Sequence, residues 1–236
     1  MVLYAIQIYC DFSGYSDIAI ATAGLLGFDL GLNFDFPYFA RNVRDFWRRW
    51  HISLSTWLRD YLYVPLGGNR RGPSRTYVNL VLVMLLGGLW HGASWTFVIW
   101  GAIHGTLLAV ERARGRAAIY GGLPRPLRIA LTFGLTCLAW VFFRADTLER
   151  AWTYLRALVG AVPLSAAAEV AGATLYTPYH LLTFLLCGVL VWGAPQAWEL
   201  TQRLTAPRAA LCLTVLAASL LMMWTQTVNP FLYYQF

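Results

Sequence analysis

An apolar run of 33 residues, from position 78 to position 110, restricts the fold of this chain more than any other feature. One straight helix of that length would be about 50 Å long, whereas the hydrocarbon core of a bilayer is about 30 Å thick. The run therefore predicts two membrane helices with a break around residues 90–94. His91 lies at this break, and a titratable side chain at membrane depth is costly enough to indicate a functional site.

Four further apolar runs, at 2–28, 127–143, 180–198 and 209–225, are close to the roughly 20 residues that a membrane helix needs. The composition agrees, because only 12% of the residues are charged, against roughly 25% in soluble domains. We therefore predict an all-α, polytopic integral membrane protein. It has about six membrane helices in a single membrane domain, residues 1–236.

The net charge of +7 comes from arginine alone, because the 18 basic residues include no lysine. The arginines cluster at the ends of apolar runs, which is typical of contact with membrane lipids and argues against nucleic acid as a partner. Arginines on both sides of the run 78–110 predict that its two ends face the cytoplasm. The four cysteines lie in apolar stretches without ligand spacing, so they are interpreted as packing residues and no metal is predicted.

The segment 44–62 is rich in arginine and aromatic residues. Drawn as a helix at about 100° per residue, it places its aromatic and aliphatic side chains on one arc and its charged side chains on the other. This pattern predicts an amphipathic helix near 44–62, either interfacial or re-entrant. His51 lies near the edge of the apolar arc, so we expect it to point into the protein, toward His91.

The two histidines indicate which type of reaction the protein catalyses. Neither cysteine nor carboxylate stands at ligand spacing from them, so they do not form a good zinc site. A neutral imidazole can take the proton of an alcohol that attacks a carbonyl, while a second polar side chain holds the acceptor or stabilises the oxyanion. We predict direct acyl transfer to a hydroxyl, with His91 and His51 as catalytic residues. Candidate substrate-binding residues are Trp90, Arg48, Arg49, Trp50 and Asp60, although arginines here are also typical headgroup anchors.

Several longer motifs occur in order along nearly the whole chain. They are DFSGYSD at 11–17, RRWHIS at 48–53, LRDYLYVPLGGN at 58–69, LWHGA at 89–93 and the terminal NPF at 229–231. In these motifs the chain resembles the membrane-bound O-acyltransferase (MBOAT) family, in the branch that O-acetylates alginate. The resemblance implies a helical membrane fold in which an outer funnel and a cytoplasmic tunnel meet at His91, the family's catalytic histidine. His51 matches the second site position.

The resemblance also implies substrates, partners and location. The donor would be a cytoplasmic thioester, acyl-CoA (acetyl-CoA) or an acyl carrier, and no cofactor would be bound. The acceptor would be a hydroxyl of an extracytoplasmic polysaccharide or carrier. Partners would be an extracytoplasmic acetyltransferase and the polysaccharide machinery, in the bacterial cytoplasmic (inner) membrane. Family members have more helices before the motif at 11–17, so the chain matches their C-terminal half. We therefore expect little activity without the missing N-terminal helices.

Two alternatives belong to other functional classes. Asp11, Asp17, His51, His91 and His104 could form the relay of a proton-coupled transporter. Such a transporter would need inverted repeats or matched discontinuous helices, and the sequence contains no internal repeat. The chain could also be an inactive partial scaffold subunit, because the family's first half is missing from it.

Overall fold

The computed structural model describes residues 1–115, 118–162 and 166–225, which form helices and connecting loops without a strand. The longer helices are α1 (Val2–Leu25), α4 (Gly72–His91), α5 (Trp95–Ala113), α6 (Arg125–Arg144), α7 (Leu148–Leu158), α8 (Ala166–Leu175), α9 (Pro178–Gly193) and α11 (Ala206–Trp224). Three helical segments are short: α2 (Val43–Trp47), α3 (Ile52–Leu58) and α10 (Ala197–Thr201). The all-α prediction is confirmed, whereas the terminal motif at 229–231 lies outside the described residues.

Two of the described helices, α6 and α11, are both long enough and apolar enough to cross a bilayer. Helix α9 is apolar but shorter. Helices α1, α4 and α5 reach 24, 20 and 19 residues, which is a spanning length at about 1.5 Å per residue. The number of six membrane helices therefore stays a prediction.

The long apolar run forms a helical hairpin, as its length predicted. Helix α4 ends at His91 and α5 begins at Trp95, where the hydroxyl of Ser94 caps the new helix by accepting the N–H of Thr96. The two helices approach very closely, because a Cβ atom on Gly88 or Gly101 would overlap a backbone carbonyl of the other helix. Small residues at such contacts are typical of helix packing in membranes. The hairpin places His91 at its tip.

An aromatic core joins this hairpin to α1, α6 and the segment that precedes α2. Its centre is Trp50, whose ring centroid lies 5.2 Å from that of Trp140, while Trp100 stacks on Trp140 at 6.0 Å. All three tryptophans are at least 98% buried. Rings of this size contribute large buried areas, so the cluster fixes how the helices around it are arranged.

The segment 44–62 is mostly helical, as predicted, but it is not one continuous helix. Helix α2 ends at Trp47, residues 48–51 are not helical, α3 covers Ile52–Leu58, and a π-helical turn follows at Arg59–Tyr63. The reason is competition for backbone hydrogen bonds from residues 33–35. The N–H of Ile52 bonds the carbonyl of Asn33 at 2.9 Å, and the carbonyl of Arg49 accepts the N–H of Asp35 at 3.0 Å. One helical wheel therefore cannot be drawn across His51.

Candidate active site

His51 lies at the break between α2 and α3 in a left-handed backbone conformation, with φ 45° and ψ 56°. Residues other than glycine rarely adopt this conformation, and such outliers cluster at functional sites. Its Nδ1 lies 3.1 Å from the side-chain oxygen of Asn33 and 3.4 Å from the hydroxyl of Ser53. The edge of the Phe12 ring packs against the imidazole, with centroids 4.7 Å apart. One side of the ring is thus held by polar groups and aromatic packing.

Asn33 is the member of this site that the sequence analysis missed. Its amide nitrogen donates to the hydroxyl of Ser16 on α1 at 2.9 Å. Its side-chain oxygen also accepts from the hydroxyl of Ser53 at 2.9 Å. The residue therefore ties α1 to the start of α3. A lone asparagine between two apolar residues in a loop belongs to no motif or periodic pattern, so the sequence contained no signal for it.

His91 is the last residue of α4 and lies in an aromatic cage. The cage consists of Trp90, Phe97, Trp100 and Phe143, with ring centroids 4.9, 6.2, 5.3 and 5.0 Å from that of the imidazole. Gly92 makes the tight packing possible, because a Cβ atom there would collide with the ring of Phe97. None of the described residues forms a hydrogen bond with the His91 ring. Its nitrogens are thus available to a substrate while packing fixes the ring.

The two histidines also interact electrostatically. His51 and His91 are close enough for the charge of one imidazole to act on the other. A proton on one ring therefore disfavours a proton on the other.

Two of the predicted substrate-binding residues take part in packing. The guanidinium of Arg49 forms ion pairs with Asp45 at 2.9 Å and with Asp35 at 3.5 Å. Trp50 is 2% exposed and stacks on Phe46 with centroids 5.5 Å apart. Both contacts hold the non-helical residues 48–51 against the core, so the structure gives Arg49 and Trp50 a role in shaping the site.

The other three predicted residues lie at the surface. Trp90 is 62% exposed beside His91. Asp60 pairs with its neighbour Arg59 through contacts of 2.7 and 2.9 Å. Exposed pairs of this kind contribute little to stability. Arg48 is exposed and lines a cavity.

This cavity has a volume of about 470 Å³ and lies between residues 44–63 and the α4–α5 hairpin. Four arginines line it: Arg44, Arg48, Arg59 and Arg112. No acidic residue lines it within the described ranges, and its other wall is apolar, with Leu80, Val83 and Met84 from α4. Ile52, which follows His51, also borders the cavity. Its arginines suit a ligand that carries an anionic group, and its apolar wall suits a hydrophobic part of the same ligand.

His104 is buried among aromatic side chains. It is 1% exposed, and its Nδ1 accepts the indole N–H of Trp47 at 3.3 Å. Its ring also stacks on Phe46, with an interplanar angle of 11°. Because Trp47 lines the basic cavity, His104 holds one wall of that cavity in place.

Comparison with known proteins agrees with this architecture. Residues 1–118 match the model of MBOAT, the membrane-bound O-acyltransferase family. The chain therefore belongs to this family and is a membrane protein. The matched half contains both histidines, the basic cavity and the α4–α5 hairpin.

Similar proteins come from several bacteria. The chain is 43% identical to a protein named probable alginate O-acetylase AlgI from Azotobacter vinelandii, over 99% of this chain and 53% of that protein. It is 47% identical to the Pseudomonas aeruginosa protein of the same name, over 88% of this chain and 40% of that protein. A peptidoglycan O-acetyltransferase from Helicobacter pylori is 51% identical over 66% of this chain and 30% of its own length. The chain thus spans about half the length of the relatives that it matches.

Proposed function

We propose that this chain forms the catalytic part of a membrane O-acyltransferase that transfers a small acyl group, acetyl, to a hydroxyl. The observation that carries the proposal is the imidazole of His91, which an aromatic cage holds near His51 in a chain of the MBOAT family. Relatives named as alginate and peptidoglycan O-acetylating proteins support acetyl as the group and a glycan hydroxyl as the acceptor. The same relatives favour this function over a proton-coupled transporter.

The reaction needs one base and one leaving group. In the proposed step, the acceptor hydroxyl loses its proton to the imidazole of His91 while its oxygen attacks the thioester carbonyl. The tetrahedral intermediate collapses, the carbon–sulfur bond breaks, and the thiolate takes up the proton from His91. His91 suits this role because its ring is fixed by the aromatic cage and its nitrogens are free of bonds to the described residues. His51 orients the acceptor beside it.

The donor reaches this site through the basic cavity. A thioester of coenzyme A or of a carrier protein carries phosphate groups, and arginines bind phosphate through charge-assisted hydrogen bonds. Arginines also flank the ends of the α4–α5 hairpin that lie away from His91. By the positive-inside rule these ends face the cytoplasm of a bacterial inner membrane, so the donor comes from that side. The acceptor glycan then approaches from the opposite side, with the help of an extracytoplasmic acetyltransferase and the polysaccharide machinery.

O-acetyl analysis of surface polysaccharide tests the proposal. Cells that carry the intact gene are compared with cells that carry a deletion, and with cells complemented by the wild type or by His91→Ala. We expect O-acetyl groups to disappear in the deletion, to return with the wild type and to stay absent with His91→Ala. Unchanged O-acetylation in the deletion strain would overturn the proposed function. The 236-residue chain alone should give little or no transfer.

A further inference from the structure

We infer that Asn33 is a positioning residue that fixes His51 in the tautomer with hydrogen on Nδ1, so that Nε2 presents a lone pair to the acceptor substrate. The use of that lone pair rests on the proposed function, whereas the tautomer itself follows from the contacts around Nδ1.

The orientation of the Asn33 amide is set by a partner that can only donate. The backbone N–H of Ser53 points to the side-chain oxygen of Asn33 at 3.3 Å. A backbone N–H cannot accept a hydrogen bond, so the atom that it faces is the amide oxygen. The amide nitrogen then lies toward Ser16, whose hydroxyl oxygen accepts from it at 2.9 Å. The flipped amide would place two donors against each other at Ser53.

The neighbours of His51 Nδ1 are therefore acceptors. The Asn33 oxygen, 3.1 Å away, cannot donate. The Ser53 hydroxyl gives its single hydrogen to the same Asn33 oxygen at 2.9 Å, so toward Nδ1, at 3.4 Å, it offers only lone pairs. A nitrogen with acceptors around it must carry the hydrogen. In the neutral imidazole the other nitrogen, Nε2, is then unprotonated.

Asn33 also holds the backbone of His51. Its carbonyl accepts the N–H of Ile52 at 2.9 Å, directly after the left-handed residue. A positive φ at a histidine is strained and persists only where the surroundings fix it. Asn33 thus acts on His51 in two ways. Its backbone carbonyl holds the left-handed turn, and its side-chain oxygen fixes the position of the proton on the ring.

The consequence concerns the acceptor substrate. A lone pair on Nε2 can accept a hydrogen bond but cannot stabilise an oxyanion, which needs a donor. His51 therefore recognises an O–H group, such as a second hydroxyl beside the one that reacts. This assignment favours acceptors that present neighbouring hydroxyls, as sugars do. It also leaves stabilisation of the oxyanion to other groups.

Nitrogen-15 NMR of histidine-labelled intact gene product tests the tautomer without any need for activity. The histidine signal that is missing from the spectrum of His51→Gln belongs to His51. Long-range proton–nitrogen correlations then show which ring nitrogen of His51 carries the hydrogen. His104 is an internal reference for the opposite tautomer, because the indole N–H of Trp47 occupies its Nδ1. We expect Nδ1–H for His51 in the wild type. A wild-type His51 with hydrogen on Nε2 would overturn the inference.

Two variants of Asn33 complete the test. Asn33→Asp keeps an oxygen toward Nδ1 and should keep the Nδ1–H tautomer, whereas Asn33→Leu should shift His51 toward Nε2–H. An unchanged His104 signal shows that the fold around it is retained. In transfer assays Asn33→Leu should raise the KM for the acceptor about tenfold, with partial rescue in Asn33→Asp. A His51 tautomer that does not respond to Asn33→Leu would refute the positioning role. An altered tautomer with an unchanged acceptor KM would instead refute the proposed use of His51.

Discussion

The carboxylate of Glu111, near the end of α5, binds the first backbone N–H of α2, that of Val43, at 2.8 Å. Its second oxygen accepts the N–H of Arg44 at 3.0 Å. Glu111 is 4% exposed, so this contact is a buried link between the hairpin and the segment that carries His51. Unpaired N–H groups at the start of a helix attract negative charge, which explains why a carboxylate is retained there.

Glu111→Gln should destabilise the protein. The amide can accept from only one of the two N–H groups and places its own donor against the other, which costs about 1–3 kcal/mol for a buried unsatisfied group. The expected result is a fall of several degrees in the Tm of the purified protein in detergent. Glu149→Gln, at an exposed glutamate on α7, is the control and should leave the Tm nearly unchanged. Equal Tm values for the two variants would contradict the capping role.

Gly101→Ala should disrupt the α4–α5 hairpin. The added Cβ would overlap the carbonyl of Met84, and backbone atoms cannot move aside without separating the helices. We expect a lower yield of folded protein and a loss of transfer, because His91 lies at the tip of the hairpin. Gly134→Ala on α6 is a matched control, since nothing lies within 4 Å of its Cβ position. Size-exclusion chromatography of both variants decides between these outcomes.

The hairpin and the position of His91 could be predicted from the sequence for a simple reason. The run 78–110 is too long for one span, and Gly92 at its centre permits the break. Local length and composition determine this part of the fold, so no distant information is needed. The all-helical class follows in the same way from the apolar runs.

The geometry of His51 could not be predicted in this way. Its left-handed turn depends on hydrogen bonds from residues 33–35, which lie on a different segment. Helical periodicity describes only the contacts within one helix. It therefore predicted one continuous helix over 44–62 and did not indicate the break at residues 48–51. The helical wheel also could not show that Trp50, a candidate substrate-binding residue, packs in the aromatic core.

The ion pair between Asp45 and Arg49 predicts a pH dependence of stability. Burial raises the pKa of the Asp45 carboxyl, but hydrogen bonds from the Arg41 backbone and the Arg49 side chain outweigh burial, so the pKa lies below its ordinary value of 3.8. The folded state then binds this proton less tightly than the unfolded state. The stabilisation is present above the unfolded pKa and is lost as the pH falls through the lowered folded pKa.

Asp45→Asn removes that titration. We expect the variant to be less stable than the wild type at neutral pH, with the difference shrinking as the solution is acidified through the pKa of Asp45. Thermal unfolding of both proteins between neutral and acidic pH measures this. Parallel curves over the whole range would contradict the role of Asp45. Asp146→Asn, at an exposed aspartate before α7, is the control.

Arg48→Gln should weaken binding of the thioester donor. The side chain lines the basic cavity, and a charge-assisted hydrogen bond to phosphate contributes about 1.5–3 kcal/mol, or roughly a tenfold or greater rise in KM. The value of kcat should change little, because the proposed contact of Arg48 is with the phosphate of the donor and not with the reacting carbonyl. Arg156→Gln on α7, at an exposed arginine outside the cavity, controls for net charge. A donor KM equal to that of the wild type would remove Arg48 from the donor site.

His91→Ala should abolish transfer without unfolding the protein. An alcohol is a weak nucleophile, and the loss of its general base typically lowers the rate by about 10²–10⁴-fold. The intact gene product carrying each substitution is purified, its fold is checked by Tm, and acetyl transfer from the thioester is followed directly. His51→Ala should reduce kcat less and raise the acceptor KM more, because it orients the acceptor. His180→Ala is the control, because the ring of His180 contacts Thr177 at the start of α9, and this variant should behave as the wild type does.

Equal losses from His91→Ala and His51→Ala would mean that the two imidazoles act as one unit, since effects within one catalytic group are not additive. Wild-type transfer by folded His91→Ala would give the role of base to His51, whose Nε2 already carries the lone pair that a base requires.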